Sequence, residues 1–66
     1  MFKIGQKVKY KSEYASEGEQ AYIHIIKEIR LNPVTGTETR FLIETINTSL
    51  TFNPQEVVDD FMIEEL

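Results

Sequence analysis

The sequence predicts an all-β domain of five strands, with a single helical turn before the last. Three observations carry that prediction. Apolar and polar residues alternate over residues 6–12, 38–46 and 61–64, and a period of two puts one set on each face of a strand. β-branched and aromatic side chains crowd AYIHIIKEIRL at residues 21–31, and such side chains fit a pleated surface. Turn residues punctuate the chain, above all Asn32, Pro33 and Gly36.

Each element follows in order. Phe2 and Ile4 lead to a bend at Gly5. Residues 6–12 then form a strand, with Val8 and Tyr10 on one face and Lys7, Lys9 and Lys11 on the other. SEYASEGE at residues 12–19 is polar, contains Gly18, and reads as a loop around Tyr14. Residues 22–31 read as a strand with Ile23, Ile25, Ile29 and Leu31 on one face and Tyr22, His24, Ile26, Glu28 and Arg30 on the other. Lys27 breaks the apolar face, so a bulge is expected near Ile26 and Lys27. Tyr22, Ile26 and Ile29 also share a helical face, which leaves an α+β alternative with a helix at 22–31.

Residues 32–37 form a turn, because proline presets one backbone angle and Gly36 permits a positive one. Residues 38–46 alternate again, Phe41, Ile43 and Thr45 against Leu42, Glu44 and Ile46. Asn47 and Thr48 make a second turn. Although Asn47-Thr48-Ser49 has the form of a glycosylation sequon, it reads as a turn. Leu50 and Phe52 suggest a short fourth strand. Asn53, Pro54 and Glu56 have the spacing of a capped helical turn. Phe61 and Ile63 then alternate with Met62 and Glu64 in the last strand.

At 66 residues the chain is a single domain, 1–66. There are no cysteines and His24 is the one histidine, so no disulfide, metal centre or other cofactor is expected. No apolar run has the length of a signal peptide or a membrane span, and with the lack of thiols this points to the cytoplasm. The net charge is −4 and the isoelectric point about 4.8. The charge is unevenly spread. Residues 1–11 carry Lys3, Lys7, Lys9 and Lys11 and no acid; residues 41–66 carry Glu44, Glu56, Asp59, Asp60, Glu64 and Glu65 and no base.

The opening Phe2-x-x-Gly5-x-x-Val8-x-Tyr10, the polar first loop, the three-strand meander and Pro54-Gln55-Glu56-Val57 before a short last strand resemble a small Src-homology-3-type barrel. KOW and Tudor modules and many small bacterial and phage proteins share this shape. The resemblance implies that the first and last strands pair, bringing Lys7, Lys9 and Lys11 to the acidic residues 59–65. Opposite charges facing across strands stabilise a sheet. The tyrosine-rich signature of proline-peptide readers and the basic, glycine-centred motif of KOW modules are both missing, and there is no tryptophan. A fold alone does not supply a ligand.

An enzyme is the weakest expectation. One histidine builds no Ser-His-Asp set, no glycine loop cradles phosphate, and a chain this short leaves little room for a catalytic pocket. The leading expectation is a binding module that contacts another protein, an accessory factor of the kind phages and mobile elements encode. Tyr10, Tyr14, Tyr22, Phe52 and Pro54 are the candidate groove residues, since tyrosines are favoured at interfaces. Asp59, Asp60, Glu64 and Glu65 form a candidate acidic dock for a basic surface. The alternative is a nucleic-acid module that uses Lys3, Lys7, Lys9 and Lys11 with Tyr10 and Tyr14; the acidic balance opposes it. A homodimer that hides apolar surface is a further option.

Overall fold

The computed structural model describes residues 2–66. It contains β1 (Lys7–Tyr10), β2 (His24–Asn32), β3 (Thr37–Thr45), β4 (Gln55–Asp59) and β5 (Ile63–Glu65). These form one antiparallel sheet in the order β4-β3-β2-β1-β5. Short 3₁₀ turns lie at Ser12–Tyr14, Glu19–Ala21 and Asp60–Met62. The domain is therefore all-β, and among the described residues no α-helix occurs. The helical alternative at 22–31 is overturned. β2 pairs with β1 on one side and β3 on the other, which satisfies backbone groups that a helix would have bonded internally.

β2 and β3 form the long hairpin. Gly36 sits at φ 71°, where a Cβ would be strained. Its N–H donates to Asn32 O at 2.8 Å, while the Asn32 side chain accepts from Val34 N–H at 2.9 Å. Within β2 the register shifts between Ile26 and Glu28, so Lys27 is the extra residue, as its place in the pattern suggests. The bulge reverses the faces assigned from alternation. His24 and Ile26 are buried before it, and Ile29 packs against the core after it. Ile25 instead faces away from Ile26, and Leu31 is 60% exposed.

Two further expectations are corrected. Leu50 and Phe52 are not in a strand; residues 46–54 form an irregular loop that exposes both. Thr48 Oγ1 accepts from Leu50 N–H at 3.2 Å, a local turn that competes with extension. Residues 53–56 are not a helical turn either. Gln55 and Glu56 already belong to β4, whose pairing with β3 runs from Glu44↔Gln55 to Arg40↔Asp59. Five ladder positions outweigh one isolated capped turn, whose nucleation is unfavourable. The helical turn comes later, at Asp60–Met62, and takes in Phe61 and Met62. β1 is also shorter than the alternation over 6–12, ending at Tyr10.

The sheet is forced to curl. β4 and β5 are its two outermost strands and run in the same direction. In a flat sheet they would lie four spacings, about 19 Å, apart. Asp60–Met62 alone joins them, and even an extended link from Asp59 to Ile63 reaches only about 14 Å. Curling brings the inward faces together over a core of Val8, Ile26, Phe41, Ile43, Val58 and Ile63, with Phe2, Tyr10, Ile29 and Met62 against it. Every strand contributes at least one of the six. None of the described ladders joins β4 to β5.

Candidate functional site

One end of the curled sheet carries both long loops, residues 11–23 and 46–54, and the cleft between them is the candidate site. It encloses about 180 Å³. Tyr10, Tyr22, Leu50 and Pro54 supply its apolar lining; Glu19, His24, Thr45, Thr48 and Glu56 supply its polar groups. Among the described residues lining it there is no lysine or arginine.

The walls are built locally and then clipped together. Ser16 donates to Glu19 Oε1 at 2.7 Å, and Tyr22 N–H donates to Glu19 O at 3.1 Å, which sets the turn that presents Glu19 and Tyr22. Asn47 ties this wall to the other loop. Its Oδ1 accepts from Ile23 N–H at 2.7 Å, and its Nδ2 donates to Ala21 O at 3.0 Å. The far end of the second loop is held by Thr45 N–H, which donates to Pro54 O at 2.9 Å. Glu44 accepts from Gln55 Nε2 at 2.9 Å and Asn53 Nδ2 at 3.2 Å. These hydrogen bonds hold the Glu44 carboxyl below its usual pKa.

The floor depends on the curl. Tyr10 of β1 donates its hydroxyl proton to Glu56 Oε2 of β4, although β2 and β3 lie between those strands in the sheet order. Alternation along β4 puts Glu56 on the same side as the buried Val58, while Glu56 itself stays exposed. The Tyr10 and His24 rings meet in a T, with centroids 5.0 Å apart and planes at 87°. His24 lies opposite both Val8 and Thr45. It is 5% exposed, and its Nδ1 lies 3.0 Å from Thr45 Oγ1. Its Nε2 is buried and has no hydrogen-bond partner among the described residues.

Burial sets the protonation states. It lowers the pKa of His24, with the Glu56 charge opposing in part, so the imidazole is neutral at pH 7. Burial also raises the Tyr10 pKa, reinforced by the hydrogen bond to Glu56 and by the charges of Glu56 and Glu19, so the phenol keeps its proton. The cleft thus holds two carboxylates with no fixed cation. Among the described residues, no three histidine, cysteine or carboxylate side chains group as metal ligands.

The residues singled out from sequence are dispersed. Tyr10, Tyr22 and Pro54 meet in the cleft. Tyr14 does not; it packs on Phe61, with ring centroids 5.7 Å apart. Phe52 is 66% exposed and lies outside the lining. Asp59 receives Arg40 Nε at 3.2 Å. Asp60 borders a separate, larger hollow of about 550 Å³ with Phe2, Ile29 and Phe41. Glu64 lies 3.7 Å from Lys9 Nζ, as expected from strand pairing, since Lys9 and Glu64 face each other across β1 and β5. Glu65 accepts from Gln6 Nε2 at 3.0 Å. The lysines form no single stripe with aromatics. Lys9 is ion-paired, Lys3 lines the same hollow as Glu65, and Tyr10 lies on the side of β1 opposite to Lys7 and Lys9.

Glu19, Asn47, Leu50 and Glu56 were not among the site residues singled out from the sequence, where the last three figured as turn, strand and helical-turn residues. Glu56 was legible in one respect: Glu56 and Val58 alternate as a strand does. Glu19 was legible as the partner of Ser16 in an S-x-x-E capping pattern. In comparisons with known proteins, no family model matches the chain, and no curated protein or solved structure is significantly similar to it.

Proposed function

We propose that the chain is a small non-enzymatic binding module with a barrel of the Src-homology-3 type, acting in the cytoplasm, and that its cleft contacts a partner protein. Strand order, the required curl and the 3₁₀ turn between the two outer strands support the barrel. The observation that carries the functional reading is the cleft itself. Tyr10, Tyr22, Leu50 and Pro54 place aromatic and apolar surface at the junction of two loops, and loops positioned by a rigid sheet are favoured places for recognition. At about 180 Å³ the cleft is smaller than the ~300–1,000 Å³ of sites for drug-sized ligands. That size suits one side chain of a larger partner better than a free cofactor.

A tagged pull-down from host lysate tests this, run with and without nuclease and at raised salt, beside a Tyr22→Ala variant. Tyr22 is 42% exposed, so its truncation spares the core. The expected result is a stoichiometric protein that survives nuclease and is lost with Tyr22→Ala. Nucleic acid recovered in its place, and released steeply by salt, would overturn the reading.

A further inference from the structure

We propose that the cleft receives the cationic end of a lysine or arginine side chain from a basic segment of the partner. This rests on the protein-binding reading above and names the chemistry that the cleft selects.

Three independent features converge. The first is charge. Glu19 and Glu56 both line the cleft and none of its described lining residues is a cation. Outside the cleft, three carboxylates do have a cation beside them: Glu64 has Lys9, Asp59 has Arg40, and Glu28 has Arg30. Glu56 Oε2 is engaged by Tyr10, which orients the carboxylate, and Oε1 makes no hydrogen bond among the described residues. The second is the unpartnered ring nitrogen. His24 is 5% exposed, lines the cleft, and leaves Nε2 without a partner. When Nδ1–H donates to Thr45 Oγ1, Nε2 is a bare acceptor. A buried acceptor is costly until a donor meets it. An ammonium or guanidinium brings several N–H donors and no acceptor.

The third is the aromatic wall. Tyr10 and Tyr22 both line the cleft, and a cation is drawn to the electron-rich face of an aromatic ring. The long aliphatic stem of lysine or arginine suits the apolar rim at Leu50 and Pro54, since such side chains bury the stem separately from the charged head. A carboxylate ligand would meet Glu19 and Glu56 with the wrong sign, and an apolar one would leave His24 Nε2 unpaired. The domain's net charge of −4 favours encounter with a basic partner.

The test uses the full 66-residue chain, labelled with ¹⁵N. It is titrated with three short glycine-serine peptides that differ only at the central residue: arginine, lysine or neutral citrulline. The arginine and lysine peptides are expected to shift the amides of Tyr10, Tyr22, Thr45 and Glu56 and the ring nitrogens of His24. The citrulline peptide should bind at least tenfold more weakly. Glu56→Gln should weaken the cationic peptides tenfold or more. Because that change also touches the Tyr10 hydrogen bond, Glu19→Gln serves as a second variant and should weaken them several-fold with the fold intact. Equal binding of citrulline, shifts spread over all acidic surfaces, or indifference to both variants would overturn the proposal. The two readings fail separately. If a protein is captured from lysate and lost with Tyr22→Ala, yet retained by both glutamine variants, the protein-binding reading stands and the cation site falls.

Discussion

The molecule holds two sets of acids that look alike in the sequence and differ in space. Around the outer strands, Asp59 lies 3.2 Å from Arg40 and Glu64 lies 3.7 Å from Lys9. Those carboxylates have cations of their own. In the cleft, Glu19 and Glu56 border Tyr10, Tyr22 and a buried neutral histidine, with no cation among the described lining residues. The density of acids along a chain does not say which of them have a cation beside them in the fold. Of the four acids from Asp59 onward, Asp59 and Glu64 are matched by the chain's own bases. Glu19 and Glu56 are far apart in sequence, and the curl of the sheet brings them to one cleft with no cation among its described lining residues.

The largest expected effect falls beneath both regions. Ile26 is 1% exposed and packs in the core that every strand shares. Ile26→Ala should cost about 2–5 kcal/mol, comparable to the ~3–5 kcal/mol that the core of so small a domain supplies. Urea denaturation should show the cooperative transition lost or shifted close to zero denaturant. A small shift would mean that the two regions do not rest on one core.

Asn47→Ala separates the regions instead. It removes the acceptor of Ile23 N–H and the donor to Ala21 O, at roughly 1–2 kcal/mol for two partly exposed hydrogen bonds. The free energy of unfolding should fall by that amount, and the amide shifts should concentrate on residues 19–24. Changes centred on Lys9 and Glu64 would contradict the division.

Acidity distinguishes them as well. The folded-state pKa of His24 is lowered from 6.5 by burial. Below about pH 6.5 the unfolded chain therefore binds a proton that the folded chain refuses, and stability falls as pH drops through that window. Above it the group contributes no pH dependence. Measured from pH 8 to pH 5, the midpoint should decline more steeply in the wild type than in His24→Gln. An equal decline in both would mean that His24 is not held neutral by the fold.

The smallest effect belongs to the exposed pair. Lys9 and Glu64 side chains are 42% and 45% exposed, so Glu64→Gln should change stability by no more than ~0.2–1 kcal/mol, less in high salt. A cost of several kcal/mol would erase the contrast with the cleft.

How much of this was legible follows the range of each interaction. The β2–β3 hairpin was readable because Asn32, Pro33 and Gly36 act within a few residues of one another, and Lys27 marks the bulge by interrupting a local pattern. Even the Lys9–Glu64 pairing followed, once the first and last strands were expected to meet. The strand at 55–59 was missed because Asn53, Pro54 and Glu56 satisfy a local helical rule. That rule lost to pairing with β3, which no local signal reports. The cleft was only partly visible. Tyr10, Tyr22 and Pro54 were singled out for their type, but the contact between Tyr10 and Glu56 joins residues 46 apart in sequence, and only the curl brings them together. His24 was placed on a strand face with Ile26, and both are buried; its unpartnered nitrogen depends on neighbours that no spacing encodes.

The central claim is that the partner contact lies in the cleft and not on the acidic end. The most direct measurement compares partner binding, by titration against the captured protein, for Tyr22→Ala and for a variant carrying Asp59→Asn, Asp60→Asn, Glu64→Gln and Glu65→Gln, each first confirmed to be folded. The account predicts that Tyr22→Ala weakens binding at least tenfold, while the four-fold neutralised variant stays within a few-fold of wild type. Binding abolished by the four neutral substitutions and untouched by Tyr22→Ala would contradict it and return the site to the acidic end.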